Sequence, residues 1–242
     1  MATITAGRHG LSSSGLAAAP AKDAWAHLAW FGSGALLGFG TPFIFTSVLS
    51  INHDVYYGIY FAVVLGFLSA YVAVMRIDVA GLFRRNWRTS LVLGVISAAF
   101  LVGRVVSLDG TDGPSGGYAA FEVAWRGLAY GVVDALLLTA FPGVVALGLL
   151  KGRIAGPARK VMFAALMLPM VLIATGAYHL GYEQFREDGI GNPELGNAII
   201  SVPMLATANP LGSIFAHASM HVAADVHVYE TDVYLPPQTD AP

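Results

Sequence analysis

The sequence predicts an all-helical membrane protein, a single bundle of about seven transmembrane helices. Three observations carry this. Of 242 residues, 56% are hydrophobic and only 12% charged, which excludes an ordinary soluble domain. Apolar runs of about 20 residues, the length that crosses a hydrocarbon layer, follow one another along the chain. Arg and Lys gather in alternate loops, as positive-inside topology requires. The bilayer is therefore the expected partner. A formal net charge of -2 offers no electropositive footprint for nucleic acid. Absence of cysteine excludes disulfides and thiolate chemistry.

Residues 1–24 are rich in Ala, Gly and Ser, lack the apolar core of a signal peptide and read as a disordered cytoplasmic tail. The membrane domain is expected over 25–229. Its first run is Trp25 to Ile51. After the polar turn Asn52-His53-Asp54, a second span runs to about Met75, and Tyr56, Tyr57 and Tyr60 at its start suit an interfacial aromatic belt. A basic loop with Arg76, Arg84, Arg85 and Arg88 leads to the third span, Thr89 to Leu108. The fourth, Gly117 to Leu150, contains Pro142, which should kink or break it. A second basic loop with Lys151, Arg153, Arg159 and Lys160 precedes the fifth span, Val161 to Tyr182. Leu195 to Ala208 is short enough to be re-entrant, and Asn209-Pro210 separates it from the last span, Leu211 to about Tyr229. Residues 230–242 form an acidic, Pro-rich tail without Lys or Arg, which favours a true crossing by 195–208 and an external C-terminus. The expected location is a bacterial-type plasma membrane with the N-terminus cytoplasmic.

The fourth span carries the chemistry. Glu122, Arg126, Tyr130 and Asp134 recur at steps of four, each advancing about 40° around a helix, and so form one slowly turning polar ridge. A charge at membrane depth costs roughly 2.5 to 3.5 kcal/mol on insertion scales, so the ridge should face a protein interior or a water-filled cavity. Counted at about 1.5 Å per residue, Glu122 and Arg126 fall near the outer end, at a level shared with His179 and Arg104. His221 and Asp225 of the last span fall there too, with His217 deeper. This agreement in depth points to a shared site. Each residue also has a structural reading: Glu122 with Arg126 as an internal ion pair, His179 as an interfacial anchor, His217 as an interhelical hydrogen-bonding group, and Arg104 as a snorkelling cation. Asp134 reads as a helix-packing or cavity group.

Glu122-Val-Ala-Trp-Arg126-Gly127, then His179, then His217-Ala-Ser-Met-His221 resemble in order the motifs of the CPBP family of CAAX prenyl endopeptidases and bacteriocin-processing or immunity proteins. The family pattern is Glu-Glu-x-x-x-Arg, Phe-x-x-x-His and His-x-x-x-Asn. The resemblance implies an intramembrane peptidase in which Glu and His activate water while the last pair holds the oxyanion or a metal. Phe121 stands in place of the first Glu, Thr175 in place of the Phe and His221 in place of the Asn. The expected catalytic set is Glu122, Arg126, His179, His217 and His221. Independently of the family, Glu122 suits a general base and the histidines suit carbonyl polarisation. Candidate metal ligands are His179, His221, Asp225 and Glu122, with zinc the fitting ion; no cofactor at all remains equally compatible. A peptide or membrane-protein substrate is the implied partner. The alternatives are a catalytically inactive immunity or scaffold protein, a haem-binding protein using histidines of different helices, and a transporter.

Overall fold

The computed structural model describes residues 22–230, so the tails expected at 1–24 and 230–242 lie almost wholly outside the described residues. Within these limits the chain is helical without strands. The helices are α1 (Lys22–Pro42, prolonged by a π-helical segment over Phe43–Val48), α2 (His53–Met75), a short α3 (Val79–Arg84), α4 (Trp87–Val106) and α5 (Gly116–Leu149). They continue with α6 (Pro157–Leu180), a short α7 (Glu183–Asp188), α8 (Gly191–Thr207) and α9 (Leu211–His227). Five helical stretches are long and apolar enough to cross a membrane: Ala24–Val48, His53–Met75, Trp87–Val106, Gly116–Leu149 and Pro157–Leu180. α5 is the central one, because 78% of its most apolar stretch is buried against 22–44% in the other four.

α8 and α9 have 17 residues each, about 25 Å of helix. The sequence places the start of this apolar piece at Leu195, but the helix begins at Gly191. Pro193 suits a first turn, where no intrahelical N–H is needed, and Glu194 complements the dipole there. At the other end the Asn209 side-chain amide faces the backbone oxygens of Leu82, Phe83 and Arg85, so the α8–α9 turn sits at the basic-loop end. The far end of α9 is tied to the opposite end, where the Thr111 N–H donates to the His227 carbonyl at 3.0 Å. Both helices therefore run between the two ends of the bundle.

Pro142 does not break α5, which widens into a π-helical segment over Leu136–Ala140 just before it and continues to Leu149. The wider turn accommodates the missing N–H and the ring that would crowd the preceding carbonyls. A second π-helical segment spans Val123–Ala129.

Small residues bring α9 against α4 and α5. A Cβ on Gly94 would lie 2.5 Å from the Gly212 backbone, and one on Gly131 would lie 2.8 Å from Ala218 Cα. Without a hydrophobic drive between helices in lipid, such close backbone approach supplies the packing. The Gly131 contact sets His217 and His221 against the ridge of α5.

Tyr56, Tyr57 and Tyr60 are 0–1% exposed, which corrects their placement in an interfacial belt. They face inward: the Tyr56 hydroxyl meets those of Tyr178, on α6, and Tyr182, just beyond it, while the rings of Tyr57 and Tyr60 pack against Tyr130 and Tyr178.

Candidate functional site

The ridge Glu122–Arg126–Tyr130–Asp134 is buried along its whole length and occupies the groove between α2 and α9. The groove holds two clusters. Near the start of α5, Glu122 faces α2: His53 Nε2 lies 3.9 Å from Glu122 Oε2 and 3.4 Å from Asp54 Oδ1. Arg126 turns the other way. Its Nε lies 3.9 Å from Asp225 Oδ1, its Nη2 donates to the Tyr229 carbonyl at 3.1 Å, and its guanidinium covers the Tyr229 ring at 4.5 Å. The close ion pair of Arg126 is thus with α9 rather than with Glu122.

The deeper cluster is centred on Asp134. Tyr60 donates to its Oδ1 at 2.7 Å, and its Oδ2 lies 3.2 Å from His217 Nε2. A carboxylate can only accept, so Nε2 of His217 carries the proton in this contact. His217 stacks on His221 with centroids 4.9 Å apart and planes 15° from parallel, and Tyr130 meets His221 edge-on at 4.9 Å. His217 Nδ1 and both ring nitrogens of His221 are buried without a hydrogen bond. Asp134, His217 and His221 each offer a ligand atom, all within 4.8 Å of one another.

These side chains line a cavity of about 370 Å³ that also touches His179, Tyr178, Asn197 and Met220 and reaches Arg104, Leu108 and Asn192 at the end opposite the basic loops. The His179 Nδ1–H donates to the Thr175 carbonyl at 2.8 Å, which leaves Nε2 as an acceptor. The hydroxyls of Tyr130, Tyr178, Tyr182 and Tyr56 link by contacts of 2.6, 2.6 and 2.8 Å. Burial pushes the Tyr182 hydroxyl well above its usual range, so it remains a neutral donor. Arg104 is held by Ser107 at 3.0 Å and lines the cavity near its outer end.

Of the sequence-derived set, His179, His217 and His221 therefore share one cavity, whereas Glu122, Arg126 and Asp225 form the shallower groups beside it. Asp134, read as a packing or cavity group, is the carboxylate that His217 meets. Sequence reasoning missed the role of Tyr60 and the association of His53 and Asp54 with Glu122. A signal for the first was present: Tyr56/Tyr60 and Tyr130/Asp134 are pairs at a spacing of four, each on one helix face.

No protein-family model, curated protein or solved structure matches this chain.

Proposed function

We propose that this chain is an intramembrane hydrolase acting on peptide bonds, with Asp134 and His217 as the water-activating pair, and that α8 and α9 complete a bundle of seven crossings. The observation that carries it is the 3.2 Å contact between Asp134 Oδ2 and His217 Nε2 at the wall of the cavity. Asp134 fixes the tautomer and stabilises the imidazolium; Nδ1 takes the proton of an attacking water and returns it to the leaving amine. A ring N–H of His221 polarises the substrate carbonyl. The cavity volume lies in the usual range for bound organic groups, and its apolar lining from Phe100, Leu101 and Ile200 suits the side chains of a membrane-embedded segment. The peptide bond as substrate is supported by the motif order of the sequence.

The donor set also fits a divalent metal. Buried imidazole nitrogens without hydrogen bonds beside a carboxylate are the ligands zinc takes, and Asp134, His217 and His221 would hold the ion. A bound zinc would supply Lewis acidity and a more acidic water.

Labelling of new N-termini in membranes of cells producing the protein tests the proposal. Cleavage products present with the wild type should fall by a factor of about 10² to 10⁴ with His217→Ala or Asp134→Asn. Equal product patterns in all three would refute it. A non-catalytic immunity or scaffold role is the second reading, favoured by Phe121, which is 44% exposed, and by a Glu122 turned to His53 instead of the cavity. In that case His217→Ala leaves the N-termini unchanged and alters co-purifying proteins only.

A further inference from the structure

We propose a second site, at the mouth of the α2–α5 groove, in which His53, Asp54 and Glu122 bind a divalent transition-metal ion of the zinc or manganese class. It stands apart from the cavity. Glu122 precedes Asp134 by twelve residues on one helix, about 18 Å, with Arg126 and Tyr130 between them.

Geometry is the first argument. One imidazole nitrogen and two carboxylate oxygens lie within 4.8 Å of one another, with His53 Nε2 at 3.4 Å from Asp54 and 3.9 Å from Glu122. Ligand atoms around a tetrahedral zinc, each about 2.1 Å from the metal, are separated by about 3.4 Å. Small rotations of the Glu122 side chain would bring the set to that spacing. The ligands are also held from outside the site. Asn52 caps α2 by accepting from the Asp54 N–H at 3.0 Å, the Trp125 indole donates to the Asp54 carbonyl at 3.2 Å, and Tyr118 donates to Asp54 Oδ2 at 3.2 Å. Tyr57 meets the His53 ring edge-on at 5.9 Å. Metal ligands are commonly oriented by such outer partners.

Unsatisfied polar atoms are the second, independent argument. The Glu122 side chain is 0% exposed, yet neither of its carboxylate oxygens accepts a well-formed hydrogen bond, and His53 Nε2 and Asp54 Oδ1 are buried in the same condition. A buried carboxylate without partners costs several kcal/mol, which a coordinated cation removes. Charge agrees. Arg126, the nearest cation on the same ridge, is turned to Asp225 and to the Tyr229 carbonyl and ring, and the ion-pair contact of both Asp54 and Glu122 is with His53. With His53 neutral, two negative charges remain, matching one divalent ion. One imidazole with two carboxylates excludes the soft-metal preference of thiolate sites and suits zinc or manganese. A bound ion would tie the start of α2 to the start of α5.

The test is zinc content of the untagged full chain in lipid nanodiscs, stripped with chelator, reloaded with zinc, desalted and measured by mass spectrometry. It is run in a His217→Ala background, which removes a ligand of the deeper cluster and so separates the two readings. The His217→Ala protein should keep one zinc per chain. Adding His53→Ala or the near-isosteric Glu122→Gln should lose it, and adding the milder Asp54→Asn should weaken zinc binding by about tenfold or more. If His53→Ala fails to fold, Glu122→Gln, Asp54→Asn and the zinc-dependent rise in Tm of the His217→Ala protein decide the matter. Absence of zinc from the His217→Ala protein, or retention unaffected by all these additions, overturns the outer site. Equal zinc content in wild type and His217→Ala counts against metal at the deeper cluster and leaves the outer site standing.

Discussion

Gly131→Ala is the most informative single change, because one methyl group tests the packing and the site together. Its Cβ would lie 2.8 Å from Ala218 Cα and 3.2 Å from both Cβ and Cδ2 of His221. Carbon atoms prefer about 3.5 to 4.0 Å, so α9 must retreat by about 1 Å from α5. Overpacking of this kind costs about 1 to 3 kcal/mol, offset by about 1 kcal/mol of better helix propensity for Ala over Gly. The net destabilisation is therefore about 0 to 2 kcal/mol, small enough for the variant to fold. The site responds more strongly, since a displacement of 1 Å in a reacting constellation can cost about 10²-fold. The assay pairs thermal unfolding in nanodiscs with quantified new N-termini. Gly103→Ala is the control: it lies in helix α4 with nothing within 4 Å of the added Cβ, so stability should stay equal or rise slightly with product yield unchanged. A Gly131→Ala protein with wild-type yield would refute the claim that the α5–α9 contact positions His217 and His221.

Tyr60→Phe removes the donor to Asp134 Oδ1 and should lower stability by about 1 to 3 kcal/mol, read as a loss of Tm; an unchanged Tm would show that the hydrogen bond is not formed. Asn209→Ala strips the backbone oxygens of Leu82, Phe83 and Arg85 of their amide partner and frees the Leu211 N–H, so it should cost about 2 to 4 kcal/mol and speed hydrogen exchange around α3 and the α8–α9 turn. Exchange confined to other regions would contradict the placement of that turn.

The helices were legible because hydropathy and loop charge report burial in lipid directly, and five of the apolar runs appear as long helices close to their expected limits. The π-helical segments were not legible, since nothing in Val123–Ala129 or Leu136–Ala140 differs in composition from an ordinary helix and the widening answers to packing and to Pro142. The tyrosines misled because an aromatic at a span end suits either an interface or a core; what decides is the partner hydroxyl on another helix, which one helix's sequence cannot contain. Depth counting grouped Glu122 with His179 and His221 as neighbours at one level, but neighbours are set by azimuth as well. Glu122 points to α2, whereas Asp134, one ridge position below Tyr130, meets both Tyr60 of α2 and His217 of α9. His53 and Asp54 escaped notice because a polar turn at a span end has an obvious solvent explanation.

The central claim is that Asp134 and His217 work as one unit, and a double-mutant cycle on a cleaved substrate tests it most directly. Cleavage rates are compared for the wild type, Asp134→Asn, His217→Ala and the double variant. Residues that act together are strongly non-additive. The double variant should be no slower than the slower single variant. Losses that multiply, as for two independent contributions, would contradict the account.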